Sequence, residues 1–204
     1  VEFYQALGAK HTELTLCTID RPGLLRDIAG TISANNLDIY LCQQEVAVAL
    51  GANGRRQAIC TIWLDDFGQS VTQGKRDRLA EDLSRVVSGE QPVHGLLDKR
   101  GRSQVDVVIH SVDVSNDASR QYTVVSIRAA DERGLLFRLA DALHQEQLDI
   151  RVAKVTTWRN AAEDAFYCVS SATGVKLTEE QLAGIGERIE ARLHAAAADG
   201  EGAA

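Results

Sequence analysis

The chain has 204 residues, about 45% of them hydrophobic and 25% charged, near the average of soluble globular proteins, which excludes a disordered tail, a collagenous repeat and a disulfide-dense mini-protein. At one domain per roughly 150 residues, this length fits one large domain or two small ones. A net charge of −7 and an isoelectric point near 5.2 oppose the clustered basic field that duplex DNA or RNA requires.

Thr12 to Ile19 alternates Leu14 and Leu16 with Thr15 and Cys17 and is rich in β-branched residues, so it predicts a strand. Asp20 and Pro22 stop it. Pro22 suits a first helical turn, and Leu24, Leu25, Ile28, Ala29 and Ile32 follow at helical spacing, predicting a helix to about Ala34 that Asn35-Asn36 ends. Leu37 to Ala49 reads as extended, Gly51-Ala52-Asn53-Gly54 as a hairpin turn, and Gln57 to Leu64 as the returning strand. A helix is predicted from about Lys75 to Val87, with Leu79, Leu83, Val86 and Val87 on one face. Gly89 to Gln104 reads as a linker whose Lys99, Arg100 and Arg102 are solvated. Val105 to Val114 reads as a strand that can close the first unit or serve the second. After it the same order returns: strand at Gln121 to Arg128, helix at Gly134 to Gln145, strands near Asp149 to Thr157 and Asp164 to Ser170, and one last helix from Glu179 carrying Leu182, Ile185, Ile189 and Leu193.

The recurrence is visible residue by residue. Asp20-Arg21-Pro22-Gly23-Leu24-Leu25 returns as Asp131-Glu132-Arg133-Gly134-Leu135-Leu136, and the offset of 111 also carries Ala29 onto Ala140 and Leu37-Asp38-Ile39 onto Leu148-Asp149-Ile150. Two copies of one unit are therefore expected, spanning 1–98 and 99–204, with strand 105–114 serving either. The fold class that follows is α+β: two ferredoxin-like β-α-β-β-α-β units in tandem, with their antiparallel sheets paired edge to edge so that exposed edges are removed.

No apolar run approaches the roughly 20 residues that span a bilayer, and the amino terminus lacks the basic-then-apolar order of a signal peptide, so neither a membrane nor secretion is expected and the chain reads as cytoplasmic. Cys17, Cys42, Cys60 and Cys168 lie far apart among strand residues and read as buried reduced thiols. His11, His94, His110, His144 and His194 show no ligand spacing, so no metal and no cofactor is expected. No methionine occurs, and the sequence is read as a piece of a longer chain.

The repeated loop places an acidic residue and then a glycine directly before a helix. A helix amino terminus offers unpaired N–H groups and partial positive charge to a carboxylate or phosphate, and glycine permits close approach. Asp20 and Asp131 are placed to accept hydrogen bonds from an ammonium group, and the two functions together fit an α-amino acid. The alternative is structural: the aspartates are helix caps and the glycines a backbone requirement of the turn.

At these residues the chain resembles tandem ACT domains, modules that bind amino acids in metabolic enzymes. Asp20 to Leu25 carries the full signature, and Asp131 to Leu136 departs from it only by Arg133 in place of proline. More narrowly, Asn116-Asp117-Ala118-Ser119, Thr123-Val124-Val125, Leu148-Asp149-Ile150, Ala153-Lys154-Val155-Thr156-Thr157 and Glu163-Asp164-Ala165-Phe166-Tyr167 resemble the carboxy-terminal ACT pair of the bifunctional uridylyltransferase/uridylyl-removing family, which modifies the PII nitrogen-signalling protein. The family's Asp-x-Phe element is Asp164-Ala165-Phe166 here and reads as Ala58-Ile59-Cys60 in the first copy. The resemblance implies effector contacts at Asp20, Arg21, Gly23 and Leu24 and at Asp131, Gly134 and Leu135, with Gln43 and Lys154 on the second strand of the neighbouring copy closing the sites.

The function so implied is an amino-acid-sensing regulatory module, for glutamine, acting on an attached or partner catalytic domain in nitrogen regulation. A stand-alone tandem ACT regulator working by protein contacts, like the glycine cleavage repressor, and a module for homodimerisation are the alternatives. Catalysis by the chain itself is not expected, since it has neither the Gly-Ser and paired aspartates of a nucleotidyltransferase nor a His-Asp dipeptide of a hydrolase. Asp65-Asp66 and Glu179-Glu180 read as turn and cap residues.

Overall fold

The computed structural model describes residues 1–4, 10–50, 54–100, 107–158 and 161–198. The expected hairpin residues Gly51 to Asn53, the basic Arg102, the first residues of the strand expected from Val105, and the tail from Asp199 lie outside them. Strands β1 (Glu2–Tyr4), β2 (Thr12–Ile19), β3 (Asp38–Leu50) and β4 (Arg56–Asp65) form the first half with helices α1 (Leu24–Ala34), α2 (Gln73–Val87) and α3 (Val93–Arg100). The second half has β5 (Ile109–Ser115), β6 (Thr123–Ala130), β7 (Leu148–Trp158) and β8 (Ala161–Ser170) with α4 (Leu135–Gln145), α5 (Glu179–Leu182) and α6 (Ile185–Ala198).

All eight strands join one antiparallel sheet in the order β1-β2-β4-β3-β7-β8-β6-β5. The halves meet edge to edge, as the sequence predicts, through β3 and β7, where Gln43 pairs with Lys154. The edge strand of each half precedes the rest of its unit: β1 pairs with β2, and β5 pairs with β6. The strand near Val114 therefore flanks the second copy, and β1, unseen in the sequence, takes the matching place in the first.

Period-two alternation explains which face of the sheet is covered. Ala58, Cys60, Ile62 and Leu64 are buried under the helices while Gln57 and Ile59 face solvent, and Ala162, Asp164, Phe166 and Cys168 repeat that register in β8. Leu24, Leu25, Ile28 and Ile32 of α1 and Leu135, Leu136, Leu139 and Leu143 of α4 join one core that runs through both halves. Of the cysteines, Cys42, Cys60 and Cys168 are buried as expected, whereas Cys17 is exposed because it falls on the open face. Among the described residues, no helix is long and apolar enough to cross a membrane.

Two expectations are corrected. The segment read as a linker contains α3, because Val93, Leu96 and Leu97 form a small cluster with Ala34 and Val86. Arg100 is not a free surface cation: it donates to Asp82 at 2.5 and 3.1 Å and to Asn35 at 2.9 Å. The last helix is broken, since Ala183 leaves the helical region and Gly184 takes φ 68°, so Thr178 caps α5 through a capping box with Gln181 and α6 starts afresh at Ile185.

Helices α1 and α4 lie close where Gly30 faces Phe137. A Cβ at Gly30 would stand 2.6 Å from Val93 Cγ2 and 2.8 Å from Phe137 Cδ2. Gly30→Ala is therefore expected to lower stability by about 1–3 kcal/mol through overpacking, although alanine is the better helix former by about 0.5–1 kcal/mol. An unchanged or raised urea midpoint would show that α3 and α4 separate without cost.

Candidate functional site

Each repeated loop turns from a strand into a helix through a left-handed glycine. Gly23 has φ 77° and Gly134 φ 82°, both are the N-cap residue, and neither helix has a side-chain cap. Asp20 and Asp131 therefore do not serve as the caps that the structural alternative assigns to them. In α4 the first helical bond runs from Arg138 N–H to Gly134 C=O at 3.2 Å, so the amides of Leu136 and Phe137 precede the ladder. The amides of Leu24 and Leu135 are spent on turn bonds to Arg21 and Glu132, and their side chains are 2% and 4% exposed in the core.

The second loop faces the first copy. Asp131, Gly134, Leu135, Leu136 and Phe137 line a shallow, solvent-open cleft, which Val155, Thr157, Ala162 and Asp164 floor and Ala29, Ser33, Leu37 and Ile39 close from α1 and the start of β3. Asp164 is 3% exposed. Its Oδ1 accepts a long bond from Thr156 N–H at 3.4 Å, and its Oδ2 has no hydrogen-bond partner. Burial pushes its pKa up to about 7, against the Thr156 N–H and with the charge of Asp131. Asp131 is raised too, first by burial and then by Asp38, while a hydrogen bond to Thr157 pulls it down. Arg133, in the place of the family's proline, stacks over the Phe67 ring at 4.1 Å and approaches Asp38 at 3.8 Å, tying this loop to the first copy.

The first loop faces the second copy in the mirrored way. Gly23, Leu24, Leu25 and Arg26 line a smaller space with His144, Leu148, Asp149 and Ile150. A Cβ on Gly23 would meet His144 Cε1 at 3.1 Å. His144 has its pKa lowered by burial and by Arg26. Asp20 is buried against Arg151 at 2.5 Å, with Arg56 at 3.6 Å, and Arg151 holds Asp149 at 2.7 Å. Arg21 is bound to Asp27 at 2.6 Å and to Val86 C=O at 3.3 Å.

The structure brings Asp131, Gly134 and Leu135 together at one cleft and Gly23 and Leu24 at the other. Gln43 and Lys154 stand apart from both: they are exposed on the face of the sheet away from the helices, and Lys154 lies 5.5 Å from the Tyr167 ring. One further expectation changes. Leu16 pairs with Cys60 as Ile127 pairs with Asp164, so the counterpart of Asp164-Ala165-Phe166 is Cys60-Thr61-Ile62 and not Ala58-Ile59-Cys60.

Sequence reasoning did not assign Arg151, Thr157 or Asp38 to either site. Matching β-bulges interrupt β3 between Ile39 and Leu41 and β7 between Ile150 and Val152, and the extra residues are Tyr40 and Arg151. A bulge re-aims a side chain, and no local signal marks it beforehand. Asp164 does leave a signal, an ionisable residue in the buried register of an apolar strand. Among the described residues no group of three His, Cys, Asp or Glu side chains has the geometry to hold a metal.

No family model matches the chain. It is similar to the bifunctional uridylyltransferase/uridylyl-removing enzyme of Azospirillum brasilense, 32% identical over 197 residues, which is 93% of this chain and 20% of that enzyme. The enzymes of the same description in Rhodopseudomonas palustris and Gluconobacter oxydans are each 30% identical, over 82% and 96% of this chain and 18% and 21% of theirs. The chain thus spans about a fifth of the length of the curated relatives it matches.

Proposed function

We propose that the chain is a regulatory amino-acid-sensing module, with glutamine as effector, that controls an attached or partner catalytic domain of the uridylyltransferase/uridylyl-removing type in the cytoplasm. The observation that carries this reading is the second cleft, where a left-handed glycine, free helix-terminal amides and two inward carboxylates share one space. The amides suit a ligand carboxylate and Asp131 suits an ammonium group. Similarity to uridylyltransferases over nearly the whole chain supports the nitrogen-regulatory setting.

The cleft lies between the two copies, so a ligand there binds α4 and the α1–β3 corner at once. It would act by favouring one arrangement of the copies over another, since equal affinity for both shifts nothing.

Thermal unfolding against the twenty amino acids at millimolar concentration tests the reading. Glutamine is expected to raise the midpoint selectively, by the equivalent of about 2.7 kcal/mol at 100 times its Kd. Gly134→Val should abolish that shift while costing the unliganded fold only about 1–2 kcal/mol of left-handed backbone strain. A Gly134→Val chain that keeps full ligand response would remove this loop from the site, and a panel without any response would remove the sensing function.

A further inference from the structure

The two repeats follow one plan and part company at the polar centre of each site. In the first, the buried charge is neutralised from within, although Asp20 Oδ1 and His144 Nδ1 have no hydrogen-bond partner. Asp20 holds Arg151 at 2.5 Å, Gln44 donates from Nε2 to Ile150 C=O at 3.2 Å, and the Cys60 thiol lies 3.4 Å from Gln44 Oε1. By the 111-residue offset and the strand register, the second site has Tyr40 in place of Arg151, Val155 in place of Gln44 and Asp164 in place of Cys60. Tyr40 does not enter the cleft as Arg151 enters the first site; it stacks on the His11 ring at 4.7 Å. What remains is a carboxylate 3% exposed, lining the space at the α4 amino terminus, with Oδ2 unpartnered. Unlike Asp20, Asp164 is paired with no cation among the described residues, and a buried carboxylate with neither a cation nor a donor on Oδ2 is destabilising, so its presence points to a donor supplied from outside the chain.

We propose that the chain binds one amino acid, in the second cleft, and that Asp164 selects it by accepting a hydrogen bond from an uncharged N–H donor at the end of the ligand's side chain. This rests on the amino-acid-sensing reading above and adds which copy binds and what decides specificity. The ligand's carboxylate takes the Leu136 and Phe137 amides, its ammonium group takes Asp131, and its side chain turns down to Asp164. A side-chain amide brings the donor that Oδ2 lacks. A side-chain carboxylate brings like charge and no proton, and a thioether of equal length leaves the acceptor unpaired. Sites built to hydrogen-bond a substrate reject the analogue that lacks the group far more strongly than apolar pockets reject an extra methylene.

Calorimetric titration of the chain with glutamine, asparagine, glutamate and methionine decides it. One amide amino acid is expected to bind at one equivalent per chain, at least about tenfold more tightly than glutamate or methionine. In Asp164→Asn, which keeps the shape and turns an acceptor into a donor, that preference over glutamate should vanish. The comparison of ligands on the unmodified chain needs no variant, so a poorly folding Asp164→Asn leaves the proposal open to refutation. Two equivalents per chain, methionine equal to the amides, or an unchanged preference in Asp164→Asn would each overturn it and leave amino-acid sensing standing. Binding of none of the twenty amino acids would remove both.

Discussion

Arg151→Met is expected to destabilise the chain by about 3–5 kcal/mol, the cost of removing one partner from a buried ion pair. The arginine side chain is 9% exposed and holds two carboxylates, Asp20 at 2.5 Å and Asp149 at 2.7 Å, which are themselves 3% and 4% exposed. Methionine fills much of the volume, so the loss is electrostatic and not a cavity. Arg56, 3.6 Å from Asp20 and half exposed, offsets little of it. Burial already holds the Asp149 carboxyl above its ordinary range, with Arg151 opposing. Without the arginine, little opposes the burial that raises Asp149, so the penalty is full at pH 7 and shrinks as pH falls. The double variant with Asp20→Asn should recover part of the loss. Urea unfolding at pH 7 and pH 5 measures it, and a loss under about 1 kcal/mol at pH 7 would show that water reaches this pair.

The repeated core was legible because it rests on local physics. Leu14, Leu16, Leu24, Leu25, Ile28 and Ile32 carry strand and helix periods that survive into the fold unchanged, and the glycines of the two loops mark turns with positive φ. Edge-to-edge pairing followed from the cost of exposed strand edges. What stayed hidden depends on contacts distant in sequence. Helix α3 is short and contains a glycine, and only its packing beneath Ala34 and Val86 with Arg100 on Asp82 reveals it. Gln43 and Lys154 carry the right offset, yet period two sends them to the open face of the sheet. The bulges at Tyr40 and Arg151 decide which site is filled by its own chain, and an insertion of one residue into a ladder has no compositional mark. Asp164 was visible as part of a motif, and its unpartnered oxygen needed the neighbours on β6, β7 and α4 to be seen.

That oxygen also sets a pH dependence. The Asp164 carboxyl titrates near pH 7 in the fold against an ordinary 3.8, raised first by burial. Its folded value lies above its unfolded one, so the fold favours the protonated acid: the penalty is absent below pH 4, grows as pH rises towards 7 and is complete above it. At about 1.4 kcal/mol per unit, its full size is on the order of 4 kcal/mol. Asp164→Asn removes the charge but buries an amide with few partners, at a cost of roughly 1–3 kcal/mol. The variant is therefore expected to be about 2 kcal/mol more stable than the parent at pH 8, and equal or less stable at pH 4. Asp131 and Asp38 stand at the same cleft with Glu132 and Arg133 beside them, and the two aspartates, both raised first by burial, contribute slopes of their own. Only the difference between variant and parent isolates Asp164, and unfolding curves for both at pH 4, 6 and 8 supply it. A difference that does not change with pH would mean that Asp164 is solvated in the unliganded chain. A stabilised variant that has lost its choice among ligands would show the carboxylate kept at the expense of stability, as strained groups in binding sites are.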